Sequence, residues 1–419
     1  MIKRFIVILT LIFTVITTAQ EGASSPYSFY GVGLTTFKGT IENRSMGGLS
    51  VYSDSIHLNL ANPASLGELR LTTYTIGGTH SSLDLKSGSE SESASVTSLD
   101  YLAIGIPVGK WAFSFGLVPY TSVGYNIQDI DMETNTGGRY TGKGGLNKVF
   151  LSAGYALSKN FSLGAEVGYG FGNVDNTSIF VREGLQYASR EVNESRLSGF
   201  SYKLALNYQQ MLSEKLELRA VGIYSPESSL KSFNSRQLAV IGLTSDGTEI
   251  IGGNGSAFID IDVPESELTL PTAYTFGAGI GQPRKWFLGA EYSSKEATSY
   301  SNRSFSPEGA VFTDATAYRL GGFFIPNYNP VSGYFNRVVY RAGFRMEETG
   351  LELAGESIDE FGISFGVGLP AGRTFENINL GFEYGQRGTT DAGLLQEDFF
   401  NLSISLSLND QWFIKRKFD

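Results

Sequence analysis

The sequence predicts an all-β protein: a transmembrane antiparallel β-barrel of about fourteen strands, with an N-terminal segment held inside it as a plug. Three observations support this prediction. Apolar residues alternate with glycine and small polar residues along most of the chain, no long apolar run follows residue 20, and tight turns alternate with long polar connections. A barrel of this kind crosses a bilayer with strands, so we expect the protein in the outer membrane of a Gram-negative cell.

The composition favours strands and excludes several kinds of site. The 419 residues include 51 glycines, 29 phenylalanines and 22 tyrosines, a mixture typical of strands and tight turns. Cysteine is absent and histidine occurs twice, which excludes thiolate chemistry and multi-histidine metal sites. Acidic residues outnumber basic ones by 42 to 32, which argues against nucleic acid as a partner. We therefore predict no metal site and no cofactor.

Residues 1–19 have the features of a secretory signal peptide. Lys3 and Arg4 precede an uncharged stretch that runs from Phe5 to about Thr18, and small residues at the end of this stretch suit a signal peptidase. The mature chain is then expected to begin near Gln20. A membrane anchor is the alternative, but the run is short for a helix that spans a bilayer.

The barrel wall is predicted from residue 71 to residue 419. From Phe161 to Phe171, large apolar residues alternate with serine, glycine and Glu166, which is the pattern of a strand with one apolar face. The predicted strands lie near residues 71–85, 98–107, 111–127, 146–157, 161–181, 196–212, 216–230, 268–282, 286–301, 312–325, 334–347, 358–370, 375–387 and 398–412.

The predicted connections differ in length at the two ends of the barrel. Tight turns are expected at residues 107–110, 157–160, 212–215 and 282–285. Long polar loops are expected at residues 86–97, 128–145, 182–195, 231–267, 302–311, 347–357 and 388–397. In outer-membrane barrels the short turns face the periplasm, so both chain termini are expected there. A soluble secreted sandwich or solenoid is the alternative architecture.

Charges of both signs fall on the polar faces of the predicted strands. They would be costly toward lipid, but water or an internal plug could pair them. We interpret them as ion pairs that fix the wall, with a path for solutes as the alternative. These residues are Glu166, Lys203, Arg219, Glu291, Arg319, Arg337, Arg341, Arg345 and Glu383.

Residues 20–70 contain no alternating strand long enough for a membrane, yet they are too apolar and aromatic for a disordered tail. A segment that needs burial and precedes a wide barrel is expected to lie in the lumen. The residues singled out in this plug are Met46, Gly47, Gly48, Asn59, Asn62, Pro63 and Ala64.

The chain resembles the FadL family of outer-membrane transporters. The resemblance rests on the Asn62-Pro63-Ala64 turn, on the preceding residues 44–48 and on the fourteen strands that follow, and it covers essentially the whole mature chain. Residues 362–370, 384–388 and 409–417 resemble the Bacteroidetes branch most closely. The chain ends in Lys-Phe-Asp and lacks the terminal Phe usual in proteobacterial barrels.

This resemblance implies passive uptake of hydrophobic compounds such as long-chain fatty acids. Family members have a kink in the third strand that lets an apolar ligand leave sideways into the membrane. Here Pro119 lies in the predicted third strand, and because proline lacks the N–H of a ladder it must mark a bulge or a break. We predict a lateral gate at Pro119, Tyr120 and Thr121, with a harmless bulge as the alternative. The expected partners are hydrophobic small molecules and outer-membrane lipids.

A non-transporting role is the second function that the resemblance allows. Some FadL-like barrels are accessory subunits of outer-membrane secretion or assembly machines, a PorV-like role in which other outer-membrane proteins are the partners. An apolar pocket that reaches the gate would favour transport, whereas a lumen filled with polar contacts would favour the accessory role. The long loop at residues 231–267 could dock a partner.

Catalysis and metal binding have little support in the sequence. Ser55 and His57 could serve as nucleophile and base, but they are two residues apart and lack a third member. Asp129, Asp131 and Glu133, and likewise Asp260 and Asp262, are interpreted as solvated loop charges, with a Ca²⁺ site as the alternative. We predict that the protein is not an enzyme and that it has no catalytic residues.

Overall fold

A closed antiparallel barrel is the main feature of the computed structural model, which describes residues 24–88, 90–131, 136–244, 248–250, 258–296, 310–329, 333–371 and 376–410. Within these residues the wall has fourteen strands, as the sequence predicts. The first strand pairs with both the second and the last, which closes the barrel. The predicted signal peptide lies outside the described residues.

The wall strands are numbered here in chain order. They are β1 (Thr72–Ser87), β2 (Glu90–Val108), β3 (Trp111–Asp131), β4 (Thr136–Ala156), β5 (Phe161–Val181), β6 (Ala188–Met211), β7 (Glu217–Ser225 and Ser228–Leu243), β8 (Phe258–Ile261, Ser266–Leu270 and Ala273–Gln282), β9 (Trp286–Lys295), β10 (Ala310–Phe312 and Ala315–Phe324), β11 (Val339–Leu353), β12 (Glu356–Ala371), β13 (Glu376–Gly388) and β14 (Gln396–Asp410). A two-residue strand, Glu249–Ile250, pairs with the end of β7.

Short helical turns and one further strand complete the described secondary structure. The N-terminal segment contains the α-helix α1 (Ile41–Arg44) and a two-residue strand, Leu34–Thr35. The 3-10 turns are Pro26–Phe29, Pro63–Glu68, Tyr334–Arg337 and Asp391–Gly393. No helix in the described residues is both long enough and apolar enough to span a membrane.

Alternation along each strand decides which side chains face outward. In β5, Phe161 and Val167 are 41% and 45% exposed, whereas Ser162 and Glu166 between them are 6% and 5% exposed. The same alternation in the other strands surrounds the barrel with large apolar side chains that are open to their surroundings. An exposed apolar surface of this extent suits a hydrocarbon environment and not water.

The tight turns are confirmed, but the prediction of long polar loops at the opposite end is wrong for several hairpins. β1 runs to Ser87 and β2 begins at Glu90, and β11 runs to Leu353 before β12 begins at Glu356. The strands continue past the length that a bilayer requires, and their outward faces become polar there, although Leu351, Leu353 and Ile358 are apolar and buried. Without an outward apolar face these segments resemble polar loops in the sequence, although the backbone ladder continues.

The N-terminal segment lies against the inner face of the wall. The 3-10 turn Pro63–Glu68 packs on β4, β5 and β6, and α1 packs on β12, β13 and β14. Wall glycines allow this close approach. A Cβ at Gly164 would lie 2.2 Å from the Ala64 backbone nitrogen, and one at Gly343 would lie 2.0 Å from that of Gly47. At Gly164 and Gly343 the wall therefore has no side chain where the backbone of the segment approaches it.

Candidate functional site

The wall is interrupted between β2 and β3. Their ladder runs from the pair Val108 and Trp111 to the pair Leu102 and Leu117, and there it ends. Beyond that point the described part of β2 pairs with β1, while β3 pairs with β4 and with the N-terminal segment. The two strands thus separate within the wall.

Each of the diverging strands carries a bulge at the point of separation. On β3 the register to β4 shifts between Pro119 and Thr121, which leaves Tyr120 as the extra residue. On β2 the register to β1 shifts so that Asp100 is left out of the pairing. Bulges bend a strand and increase its local twist, so two bulges at one height account for the separation of β2 from β3.

Pro119 contributes to the interruption because it has no backbone N–H to donate to β2. Its carbonyl oxygen accepts a hydrogen bond from Thr36 Oγ1 (2.7 Å), on the side of β3 that β2 has left. In an extended strand the N–H and the C=O of one residue point to the same side, so the donor that proline lacks belongs to that same edge. The predicted bulge or break at Pro119 is therefore present, and β2 does not complete the ladder there.

The N-terminal segment occupies the edge of β3 that β2 has left. Leu34 pairs with Ser122 and Thr35 pairs with Thr121 in an antiparallel register. The Thr36 backbone N–H donates to the carbonyl oxygen of Tyr120 (3.2 Å). We refer to residues 34–38 as the strap.

A cavity of about 840 Å³ lies beside the strap, inside the barrel. It is bounded by the strap, by Leu99 and Asp100 of β2, and by Pro119 and Thr121 of β3. It therefore extends from the barrel interior to the position where the wall is interrupted. Charged side chains that line it include Lys38, Arg44, Lys203, Glu291, Lys295, Arg319, Arg345, Glu347 and Glu383.

Lys38 is the charged residue of the strap. Its ammonium nitrogen lies 3.8 Å from the centre of the Tyr120 ring, so the extra residue of the β3 bulge is in a cation–π contact with the strap. Burial, together with the nearby Lys148 ammonium, lowers the pKa of Lys38 to about 7. Among the described residues, no carboxylate forms an ion pair with Lys38. An anion that entered the cavity would stabilise its charged form.

Several other charges of the lumen form ion-pair networks. Glu166 is held by Lys148 (2.6 Å) and lies 3.8 Å from Lys203. Glu383 accepts hydrogen bonds from Arg44 and Arg345, each at 2.8 Å. Since Arg44 belongs to α1 and Arg345 to β11, the second network joins the N-terminal segment to the wall.

Two further contacts join the N-terminal segment to the wall. Arg219 of β7 pairs with Glu68 at 2.9 Å and donates a hydrogen bond to the carbonyl oxygen of Ser53. Glu291 of β9 accepts hydrogen bonds from the backbone N–H and the hydroxyl of Ser50 at 2.8 and 2.7 Å. These buried contacts fix residues 50–68 in position.

Eight of the nine sequence-predicted lumenal charges lie on the inner face, and Arg337 does not. Arg337 lies in the 3-10 turn Tyr334–Arg337 ahead of β11, where its guanidinium stacks over the Tyr334 ring with a separation of 5.8 Å. The sequence prediction began the strand at residue 334, whereas β11 begins at Val339. Tyr334 and Arg337 are three residues apart and meet in a 3-10 turn, a spacing that the strand pattern does not distinguish.

The residues singled out in the N-terminal segment are brought together by short turns. Asn62 is fully buried, accepts a hydrogen bond from the Ala64 N–H (3.0 Å), and donates one to Asn207 of β6 (2.8 Å). Asn59 donates hydrogen bonds to the carbonyl oxygens of Ser50 and Tyr52. Met46, Gly47, Gly48 and Pro63 are buried as well.

Sequence reasoning missed Lys38, Thr36, Lys148 and Asp100. Lys38 had a usable signal, because it is the single charge between residue 22 and Glu42 in a segment that must be buried. The sequence contains no signal for Thr36 and Asp100, since their contacts depend on where β2 separates from β3. The gate candidates Pro119, Tyr120 and Thr121 lie together beside the strap.

The arrangement around His57 does not bring a nucleophile to its ring. His57 Nδ1 lies 2.7 Å from Asp54 Oδ2, and Nε2 lies 3.1 Å from the Asn377 side-chain nitrogen. These partners differ from the Ser55 pairing that the sequence suggested. The described residues contain no group of three histidine or acidic side chains placed to hold a metal ion. The side chains of Asp129 and Asp131 lie outside the described part of the chain.

Comparison with solved structures assigns the fold to the FadL-like outer-membrane barrels. The toluene transporter TodX of Pseudomonas putida superposes with a TM-score of 0.62 at 15% identity, over 90% of this chain and 100% of that one. The toluene transporter TbuX of Ralstonia pickettii gives 0.60 at 13% identity, over 89% and 99%. A Pseudomonas aeruginosa FadL homologue gives 0.56 at 12% identity, over 92% and 100%.

The sequence model of the BamG family matches residues 1–419, so the chain belongs to the BamG family. Comparison with curated proteins gives no match. The resemblance to FadL-like proteins is thereby confirmed. Placement in the Bacteroidetes branch stays a prediction.

Proposed function

We propose that the protein is an outer-membrane channel for the passive uptake of amphipathic hydrophobic compounds, which leave sideways between β2 and β3. The observation that carries this proposal is the cavity beside the strap, because it is bounded by the two strands at the point where their ladder ends. A molecule in this cavity would pass into the bilayer without crossing the periplasmic turns. In this role, residues 24–70 act as the plug that blocks the direct route.

The charges around the cavity favour a ligand with an acidic head and an apolar tail. Lys38, Lys203 and Lys295 all line the cavity, and Lys38 has no carboxylate partner in the described residues. A long-chain fatty acid would place its carboxylate near Lys38, where burial makes a charge-assisted hydrogen bond strong. Its tail would extend toward the gap beside Leu99.

Binding to purified protein tests this ligand class. In detergent, palmitate is expected to bind more tightly than hexadecanol, which has the same chain and a neutral head. Lys38→Met should weaken palmitate binding about tenfold, which corresponds to roughly 1.4 kcal/mol, and should leave hexadecanol binding unchanged. Equal binding of palmitate and hexadecanol to the wild-type protein would contradict the proposed ligand.

A role as accessory subunit is the second candidate, and one observation favours it. Much of the lumen is filled by buried ion pairs and by the N-terminal segment, which is the polar filling expected of a barrel that transports nothing. Gentle detergent extraction of the tagged protein, followed by native mass spectrometry, separates the two roles. A monomer that carries a fatty acid supports transport, whereas a stoichiometric protein partner and an empty cavity support the accessory role.

A further inference from the structure

The N-terminal segment meets the barrel wall with two different kinds of surface. Toward β7 and β9 the contact is apolar, and Met46, Leu49 and Val51 of the segment are packed there in one buried cluster. Their partners on the wall include Val221 and Phe287. A close apolar contact offers no polar group to which water could bind, so this side of the interface is dry.

Toward β13, β14 and β1 the wall presents small polar side chains instead. Along β14, every second residue from Asn401 to Asn409 faces inward, and each of these is a buried asparagine or serine. Several of their register neighbours on β1 and β13 are polar as well. We refer to this surface as the polar seam. Its residues are Thr73, Thr75, Thr79, Asn377, Asn379, Asn401, Ser403, Ser405, Ser407 and Asn409.

Some polar groups at the polar seam have no hydrogen-bond partner within the described residues. Thr75 and Ser407 are register neighbours that are 3% and 1% exposed, and neither hydroxyl has such a partner. The same holds for Oε2 of Glu42, a residue that is 6% exposed. Its Oε1 accepts a hydrogen bond from Asn379 (2.8 Å). Burial of a polar group without a partner is unfavourable, and ordered water is the usual source of the missing hydrogen bond.

Arg341 of β11 adds a buried positive charge beside the polar seam. It donates a hydrogen bond to the side-chain oxygen of Asn379 (3.1 Å) and forms no ion pair within the described residues. A guanidinium has five N–H donors, so this bond leaves most of them for other acceptors. Asn379 thus bridges Arg341 and Glu42. Buried charges that are bridged in this way are suitable places for ordered water.

The polar seam extends from the cavity to the end of the barrel that carries the tight turns. Thr79 and Asn401 line the cavity at one end. At the other end, the side-chain nitrogen of Asn377 lies 3.1 Å from His57 Nε2. His57 is paired with Asp54, whose side chain is 28% exposed. The buried polar groups therefore connect the cavity with a site that solvent reaches.

We propose that the polar seam is a hydrated path that carries water and protons between the cavity and the periplasmic side of the barrel, with the N-terminal segment in place. Hydroxyl groups and water both donate and accept hydrogen bonds, so a chain of them can pass a proton from one oxygen to the next. Larger solutes are excluded, because α1 packs on β13 and β14. The inference goes beyond the proposed function, since it concerns water and not the hydrophobic ligand.

Single cysteines test whether the polar seam is wet. The sequence has no cysteine, so Ser407→Cys introduces one thiol in place of a hydroxyl. Methanethiosulfonate reagents react with the thiolate, which an apolar environment disfavours. The matched control is Val221→Cys on the apolar side, where the native residue is 5% exposed. Each protein in lipid vesicles is treated with 2-aminoethyl methanethiosulfonate, and the mass of the intact chain gives the labelled fraction.

Ser407→Cys is expected to be labelled about tenfold faster than Val221→Cys, although the native serine is the less exposed of the two residues. In urea the two variants should react at the same rate, which shows that the difference arises from the folded barrel. Equally slow labelling of the two folded proteins would overturn the proposal. Equally rapid labelling would also overturn it, because the whole interface would then be open to water. Ser405→Cys is a second position if Ser407→Cys does not fold.

Proton flux tests whether the path is continuous. Vesicles that contain the protein and a pH-sensitive dye are given an external pH step, with valinomycin and potassium to remove the membrane potential. Wild-type protein should conduct protons several-fold faster than Ser407→Leu, which places an apolar side chain in the polar seam. Val221→Leu is the control on the apolar side and should keep the wild-type flux.

A wild-type flux no higher than that of folded Ser407→Leu would overturn the path. Palmitate binding by the same proteins is measured separately. Loss of the proton path with palmitate binding intact would leave the proposed function standing, and proton flux without palmitate binding would refute the proposed ligand alone. Heat-modifiable mobility of each variant on gels shows whether the barrel has folded.

Discussion

Glu383 illustrates how a single buried residue connects the N-terminal segment to the wall. It lies on the inner face of β13, is 4% exposed, and accepts hydrogen bonds from Arg44, Arg345 and Asn401. The alternation of β13 was sufficient to predict that this carboxylate faces inward. The identity of Arg44 as its partner could not be predicted, because the pair is separated by 339 positions in the chain.

Glu383→Gln should destabilise the protein by about 1–3 kcal/mol, because it leaves the part-buried guanidinium groups of Arg44 and Arg345 without their shared carboxylate, while Arg345 keeps Glu360. The measurement is the free energy of unfolding in urea, in lipid vesicles. Lys86→Met is the control: it removes a surface ion pair with Asp398, and the Lys86 side chain is 48% exposed. The control should leave the free energy of unfolding nearly unchanged, because a solvent-exposed ion pair contributes little to stability. Similar losses in the two variants would contradict this view of the Glu383 network.

His57 gives the N-terminal segment a pH dependence. Burial works against its charged form, but Asp54 outweighs burial and raises the pKa of His57 above its ordinary value. The charge of His57 then contributes stability that is fully present below its unfolded pKa of ~6.5 and is lost as the pH rises through the folded pKa. Burial raises the pKa of Asp54, but His57 and two backbone N–H groups outweigh burial and lower it to about 2. Asp54 therefore stays ionised throughout this range.

We expect the N-terminal segment of the wild-type protein to become more sensitive to trypsin between pH 6 and pH 9. With cleavage rates divided by those of an unstructured peptide at the same pH, His57→Gln should show a smaller rise in sensitivity than the wild type, because glutamine does not titrate and Lys38 titrates in both proteins. Digestion is followed by mass spectrometry of fragments cut after Arg44 and Arg70. A wild-type protein with no change in sensitivity over this range would show that the His57 charge does not hold the segment.

At the scale of elements, the fit between the Pro63–Glu68 turn and β5 depends on missing side chains. Gly164→Ala would place a methyl group 2.2 Å from the Ala64 nitrogen, so the turn must move away from the wall. We expect faster tryptic cleavage in residues 24–70 and a loss of about 1–3 kcal/mol in stability. Gly222→Ala is the matched control on β7, since its methyl group would meet nothing closer than Phe276 at 3.9 Å. Equal cleavage in the two variants would contradict the packing.

The strands show why some elements can be predicted from sequence and others cannot. β5 has the bounds that the sequence predicts. Its period of two is clear from Phe161 to Phe171, where the outer face is apolar and the inner face is small or polar. The far ends of β1, β2, β11 and β12 resemble loops in the sequence because their outward faces are polar there. The strap was missed because two paired residues have no periodicity, and their partner is a strand edge that exists only after β2 has left β3.

For the whole molecule, the count of strands, the outward apolar face and the inward charges followed from the sequence. The sequence does not predict the polar lumen or the cavity beside the interruption, because both depend on which charges of distant strands form ion pairs. Arg345, Glu360, Arg387 and Glu397 form a chain of ion pairs with two charges of each sign at one side of the lumen. Lys38 has no ion-pair partner among the described residues. Its unpaired positive charge is the reason for proposing a ligand with an acidic head.

The most direct test of the central claim, sideways exit between β2 and β3, is palmitate uptake by cells that carry Pro119→Val. Valine supplies the N–H that Pro119 lacks on the edge facing β2, so the ladder can extend and the gap can close. The control is Pro370→Val, which alters a proline in β12 away from the interruption. We predict that Pro119→Val reduces uptake several-fold while the barrel still folds, and that Pro370→Val leaves uptake unchanged. Wild-type uptake by a folded Pro119→Val protein would contradict lateral exit at this site.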